Sequence, residues 1–97
     1  MDYQVRLTSV ARRDLLRIPD FLQDFVADHL AELAKCPSEM SRSVVSPPFA
    51  PGGMMCNFTL SLPGSVHSFT ILFKYGVDEI TLIITGIGYS DLNPGDQ

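Results

Sequence analysis

The chain is short of bases. Seven lysines and arginines stand against eleven acids in 97 residues, a net charge of −4. A general nucleic-acid binder needs a basic footprint for its phosphate contacts, so the bulk balance speaks against direct nucleic-acid binding. Long apolar runs are also missing. The most apolar stretch, Ile80 to Ile87, is interrupted by Thr81, Thr85 and Gly86, far from the ~20 consecutive apolar residues of a membrane span. No basic, uninterruptedly apolar start marks a secretory signal, because Asp2 and Arg6 fall within it. Cysteine is scarce too: Cys36 and Cys56 form neither a C-x-x-C pair nor a zinc quartet, and His29 and His67 complete none. The expectation is a cytoplasmic protein with reduced thiols, no metal and no cofactor.

What is present is 45% apolar and 19% charged, the balance of one small globular domain. We place it at residues 1–92, with a loose tail at 93–97 around Pro94 and Gly95. Charge is distributed by block. Arg6, Arg12, Arg13 and Arg17 dominate the first segment, whereas Asp20, Asp24, Asp28, Glu32 and Glu39 dominate the next. Residues 40–77 contain Arg42 and Lys74 and no acid at all, and the last segment holds Asp78, Glu79, Asp91 and Asp96.

Tyr3-Gln4-Val5-Arg6-Leu7 alternates apolar and polar, the period of a half-buried strand. Thr8 and Ser9 offer hydroxyl caps for a helix that carries Val10, Ala11, Leu15 and Ile18 on its apolar side. Pro19 cannot continue that helix but suits the first turn of another, so the chain turns a helical corner at Ile18-Pro19. Ile18, Phe21, Leu22, Phe25, Val26, Leu30 and Leu33 then recur at three and four, and Pro37 stops the second helix near Cys36. Residues 38–53 read as a Ser/Pro/Gly-rich loop with a short edge segment at Ser43-Val44-Val45. Three strands follow: one alternating through Cys56, Phe58, Leu60 and Leu62, a second through Phe69, Ile71, Phe73 and Tyr75, and a third at Ile80–Ile87. Pro63-Gly64 makes the first turn between them, and Gly86-x-Gly88 reads as a bulge rather than a phosphate loop.

The fold class is α+β in two layers: a strand, a helical hairpin, then a three-stranded antiparallel meander, with the helices on one sheet face. Phe58, Phe69 and Ile71 point to the helices. The other face stays open and presents Asn57, Thr59, Thr70 and Lys74.

In this order of elements the chain resembles the RelE/ParE toxin superfamily of bacterial toxin–antitoxin modules. The similar residues are Val5, Thr8, Ala11, Asp14-Leu15, Ile18-Pro19, Leu30, Leu33 and Pro37, then Phe69–Tyr75, Asp78-Glu79 and Ile80–Gly88. The Asp-Leu-x-x-Ile-Pro corner and the Leu-x-x-Leu-x-x-x-Pro helix end are the more characteristic parts. The resemblance implies a small toxin wrapped by an antitoxin protein and directed at the ribosome or at gyrase, with plasmid stabilisation as a setting.

In the branch that cleaves messenger RNA, the resemblance implies lysines and arginines along the strands. That chemistry needs a base for the 2′-hydroxyl, a donor for the leaving oxygen and cations for the phosphorane charge. This chain offers Asn57, Thr59, Thr70 and Ser90 at those places, and only Lys74 is cationic, with Arg42 near in the loop. Charge-assisted contacts are roughly twice as strong as neutral ones, so the substitutions argue against ribosome-dependent RNase activity of the usual kind and leave enzyme status open. His67, Lys74 and Tyr89 are the residual catalytic candidates, for an unconventional mRNA endonuclease, with His67 read as a surface histidine at an edge beside the Pro63–Val66 turn. Arg12 and Arg13 on the first helix, and Met54 and Met55 behind two glycines, are partner-binding candidates. A degenerate, non-toxic interaction module is the third alternative.

Overall fold

The structure is a computed structural model and describes residues 2–43 and 53–92. Among these, the elements run β1 (Gln4–Leu7), α1 (Ser9–Arg17), α2 (Asp20–Lys35), α3 (Pro37–Met40), β2 (Arg42–Ser43), β3 (Met54–Leu62), β4 (Ser65–Tyr75) and β5 (Thr81–Leu92).

The helical corner forms where proline demands it. Thr8 stays extended, and its Oγ1 accepts from the Ala11 amide at 3.2 Å, capping α1. Ile18 leaves the helix at ψ 138°, since a residue before proline is pushed out of the α region. The Gln23 side chain then reaches back to donate to the Ile18 carbonyl at 2.9 Å, which ties the first turn of α2 to the corner. Pro37 stops α2 as expected but also opens a further turn, α3, at whose start its missing N–H costs nothing. The start of the stretch expected as a loop over 38–53 is therefore helical through Met40 and paired as a strand at Arg42–Ser43. Ser41 closes α3 by donating its hydroxyl to the Pro37 carbonyl.

The sheet order is β1-β5-β4-β3-β2, antiparallel throughout except for the parallel pair β1–β5. The helical hairpin carries the chain across one face, so the first strand lands beside the last. Pro63-Gly64 joins β3 to β4, with Gly64 at φ 83°, the left-handed position that a type II turn reserves for glycine. Both later strands run further than their sequence patterns suggested. β4 begins at Ser65, and β5 continues through Leu92. Of the expected edge segment, Ser43 pairs with Met54 in β2, while Val44 and Val45 lie outside the described residues, as does the tail at 93–97.

The core fills the single helix-facing side. Phe69, Ile71 and Phe73 of β4 and Leu82 and Ile84 of β5 are fully buried against Ala11, Ile18, Leu22, Val26 and Leu33. Each such side chain contributes about 1.5–3 kcal/mol on burial. Phe25 connects the layers, 5.7 Å from Phe58 and 5.6 Å from Phe69 between ring centroids. β5 contains a bulge: Leu72 pairs with Gly86 but Phe73 pairs with Ile84. Thr85 is the extra residue, and its hydroxyl donates to the Leu72 carbonyl at 3.2 Å. The bulge lets Ile87 and Tyr89 keep facing the helices with Ile71 and Phe69.

Candidate functional site

Strand register fixes which side chains share the helix-free face. Asn57, Thr70 and Gly88 lie in one row across β3, β4 and β5, and Thr59, Ser68 and Ser90 in the next. Within the first row the Thr70 hydroxyl donates to Asn57 Oδ1 at 2.8 Å. The middle of the face is thus neutral, small and internally hydrogen-bonded. Asn57, Thr59, Thr70 and Lys74 all stand on this face.

Positive charge is confined to one end of the face. Arg6, Ile83 and Lys74 form a row across β1, β5 and β4, so Arg6 and Lys74 stand two strands, about 10 Å, apart. Arg42 stands one row away, beside Met55 and Leu72. Arg42, Met55 and Asn57 line a shallow groove of about 300 Å³ together with Glu39, Met40 and Ser41. Arg6 escaped the sequence reading. Alternation in Tyr3–Leu7 sets it opposite Val5 and Leu7, but only the parallel pairing with β5 brings it beside Lys74. All three cations are exposed. The single salt bridge among the described residues is Lys35–Glu32, on the outer side of α2.

The three residual catalytic candidates do not meet. His67 is not an edge histidine on the open side: it is 4% exposed and faces the helices. Its Nδ1 lies 2.8 Å from the Tyr89 hydroxyl and its Nε2 3.0 Å from Ser65 Oγ, so both ring nitrogens are engaged. The Phe21 ring meets it edge-on, with 6.0 Å between centroids. Lys74, at an even position of the same strand, projects from the opposite face. His67 and Tyr89 form a satisfied polar pair at the rim of the core, with the sheet between them and Lys74. Burial raises the Tyr89 hydroxyl above the usual phenol range, and the nearby Asp91 carboxylate adds to this.

The partner-binding candidates separate in the same way. Met54 packs against the core, whereas Met55 is half-buried on the open face. Arg12 and Arg13 are exposed on α1. Beside them lies an arrangement that no sequence signal announced. The Asp14 carboxylate accepts a hydrogen bond from the Ile87 amide at 3.1 Å, and Asp14, Arg17, Ile18, Ile87 and Tyr89 line a groove of about 300 Å³ between α1 and β5. Burial also raises the Cys56 thiol, which disfavours the reactive thiolate. Among the described residues no group of three His, Cys, Asp or Glu side chains could hold a metal ion, and no helix is long and apolar enough to cross a membrane.

This architecture is similar to that of solved structures from RelE toxin–antitoxin systems. The chain superposes on one chain of the toxin–antitoxin complex RelBE2 from Mycobacterium tuberculosis with a TM-score of 0.72, at 20% identity over 93% of this chain and 100% of that one. A mutant RelE toxin from E. coli in the free state gives 0.61 at 10% identity, covering 91% of this chain and 83% of that one. The intact RelBE toxin–antitoxin complex from E. coli gives 0.58 at 11% identity, covering 89% and 94%. No family model matches the sequence, and no curated protein does. At these identities the likeness is one of fold.

Proposed function

We propose that this chain is the toxin component of a toxin–antitoxin pair, acts through protein contacts rather than by cleaving RNA, and is held by a partner antitoxin. The observation that carries the second part is the neutral centre of the open face, where Asn57 and Thr70 bond to each other and Gly88 completes the row. Cleavage at a 2′-hydroxyl needs a base beside the reacting phosphate and cations around it. Here the histidine best placed along the strand points into the core, and the cations Arg6, Arg42 and Lys74 sit at one end of the face, away from its neutral centre, with Glu39 the carboxylate in the Arg42 groove. The RelE-like architecture, shared with proteins solved as toxin–antitoxin complexes, supports an antitoxin as partner. Gyrase is the protein target consistent with this reading.

The test is expression in bacteria with and without the neighbouring small open reading frame. Growth arrest relieved by the neighbour, a complex of the two proteins on purification and an unaltered messenger-RNA cleavage pattern are the expected results. Arrest accompanied by new ribosome-dependent cleavage would overturn the protein-contact mechanism. Absence of both arrest and complex would leave the non-toxic interaction module in its place.

A further inference from the structure

His67 is the one polar or charged side chain that is buried among the described residues, and its neighbours form a connected line. Ser65 lies two positions before it on the same face of β4, with Oγ 3.0 Å from the His67 Nε2. On the other side of the ring, the Tyr89 hydroxyl lies 2.8 Å from Nδ1. Asp91 pairs directly with His67 across β4 and β5. Burial, and after it the Asp91 carboxylate, holds the Tyr89 hydroxyl above the usual phenol range, so Tyr89 meets the ring as a neutral phenol. A carboxylate on the β5 side favours the imidazole proton on Nδ1, where the Tyr89 oxygen accepts it. The Nε2 lone pair is then left to the Ser65 hydroxyl. A hydroxyl nucleophile, a base and a group that orients the base stand in this order wherever a serine is activated.

The line runs from the core to the surface. α2 begins at Asp20, and Phe21 in its first turn meets the His67 ring with 6.0 Å between centroids. Ser65 stands nearer the β3–β4 turn, opposite Leu62, and is half-buried. Phe21 is 67% exposed and Leu62 38%, so apolar side chains with free surface flank this end of the line. The turn closes on a bond between its first and fourth residues. The Gly64 amide between them has no partner among the described residues. It is adjacent to Ser65 in the chain and free to donate to an oxyanion.

We infer that Ser65 is a nucleophile activated by His67, and that this site hydrolyses carboxylic esters of short apolar acids, whose acyl chain lies against Phe21 and Leu62. In the first step the Ser65 Oγ bonds to the acyl carbon and its proton passes to Nε2. The bond from the acyl carbon to the alcohol oxygen breaks, and the alcohol leaves with that proton. Water then attacks the acyl-serine, gives a proton to Nε2, and the acid departs as the proton returns to Ser65 Oγ. Tyr89 is a positioning residue that holds the tautomer. Toxicity and ester hydrolysis are separate properties of the chain, so either can fail without the other.

The experiment incubates the purified full chain with p-nitrophenyl butyrate, and separately with a fluorophosphonate followed by peptide mapping. Saturable hydrolysis and a single label on Ser65 are the expected results. Ser65→Ala, at a half-buried position beside a turn, lowers kcat/KM by roughly 100-fold, the scale of a positioned base. Tyr89→Phe lowers kcat by about tenfold in the folded chain and leaves KM unchanged. Phe21→Ser, at an exposed position, raises KM for the butyrate ester by roughly tenfold. A histidine-nitrogen NMR spectrum places the His67 proton on Nδ1. Hydrolysis unchanged in Ser65→Ala, a label on any other residue, or no reaction with either reagent overturns the inference. A proton on Nε2 overturns it as well, since His67 would then donate to Ser65 and could not serve as its base. An unchanged KM in Phe21→Ser overturns the assigned substrate class.

Discussion

Asp14 and Ile87, 73 positions apart, are joined by one hydrogen bond of 3.1 Å from the Ile87 amide to the Asp14 carboxylate. It closes the backbone at the place where β1 ends, β5 has just passed its bulge and α1 crosses the edge. Without it the Ile87 amide would lie half-buried with no acceptor.

Asp14→Ala is expected to destabilise the chain by about 1–3 kcal/mol, the range for a charge-assisted bond whose loss leaves a donor unsatisfied. Asp14→Asn keeps an acceptor and loses less. Urea unfolding measures both, and faster exchange of the Ile87 amide in Asp14→Ala locates the cause. Unchanged exchange there would exclude the assigned role.

Tyr89→Phe removes the partner of His67 Nδ1 while keeping the ring. The expected effect is a loss of about 1–2 kcal/mol of stability, because a buried ring nitrogen is left without its bond. Any toxicity per folded molecule is expected to be unchanged. A Tyr89→Phe chain of normal stability but lost toxicity would instead return His67 and Tyr89 to the candidates for the toxic activity.

Lys74→Gln, Arg6→Gln and Arg42→Gln alter exposed side chains that form no salt bridge among the described residues, and each is expected to change stability by less than about 0.5 kcal/mol. If the chain acts by protein contacts elsewhere, the triple variant still arrests growth. Loss of arrest in a folded triple variant would move the working surface to this end of the open face.

The β4–β5 turn gives a pH dependence with a definite sign. The Thr81 hydroxyl, followed by the Ile80 amide and, less strongly, the Thr81 amide, donates to the Asp78 carboxylate and holds it below the usual carboxylate range. A carboxyl whose folded value lies below its unfolded one stabilises the turn fully above the unfolded value. That contribution is lost as pH falls through the folded value. Thr81→Val removes the largest cause, so the Asp78 carboxyl resonance is expected to titrate at higher pH. No movement would show that the hydroxyl is not its partner.

Phe69→Ala and Phe73→Ala open cavities at fully buried positions. Each is expected to cost about 3–5 kcal/mol, a large share of the ~5–15 kcal/mol available to a domain of this kind. Thermal unfolding near or below 37 °C is the expected observation.

The helices were legible because their signals are local. Thr8 caps by its own hydroxyl, Pro19 forces Ile18 out of the helix, and the three-and-four spacing of Leu22, Val26, Leu30 and Leu33 assigns the buried face without any partner being known. Alternation in β4 likewise set Phe69 and Ile71 inward and Thr70 and Lys74 outward. It also carried the information that His67 shares the parity of Phe69, yet proximity to the Pro63-Gly64 turn suggested exposure. The structure buries it because α2 reaches far enough for Phe21 to meet its ring.

What the sequence determined by itself was therefore what period, cap and proline govern: the strand, the helical corner and the three later strands, the inward apolar residues of β4 and α2, and the neutral residues at the centre of the open face. Pairing between distant strands decided the rest. Arg6 joins Lys74 and Arg42 only because β1 lies parallel to β5, and the net charge of −4 conceals that small basic end. Past Ile84 no strand among the described residues lies beside β5 on the β1 side, because a four-residue strand meets a twelve-residue one. Neither strand's own pattern encodes where its neighbour stops, so that edge and the Asp14–Ile87 bond belong to the tertiary structure alone.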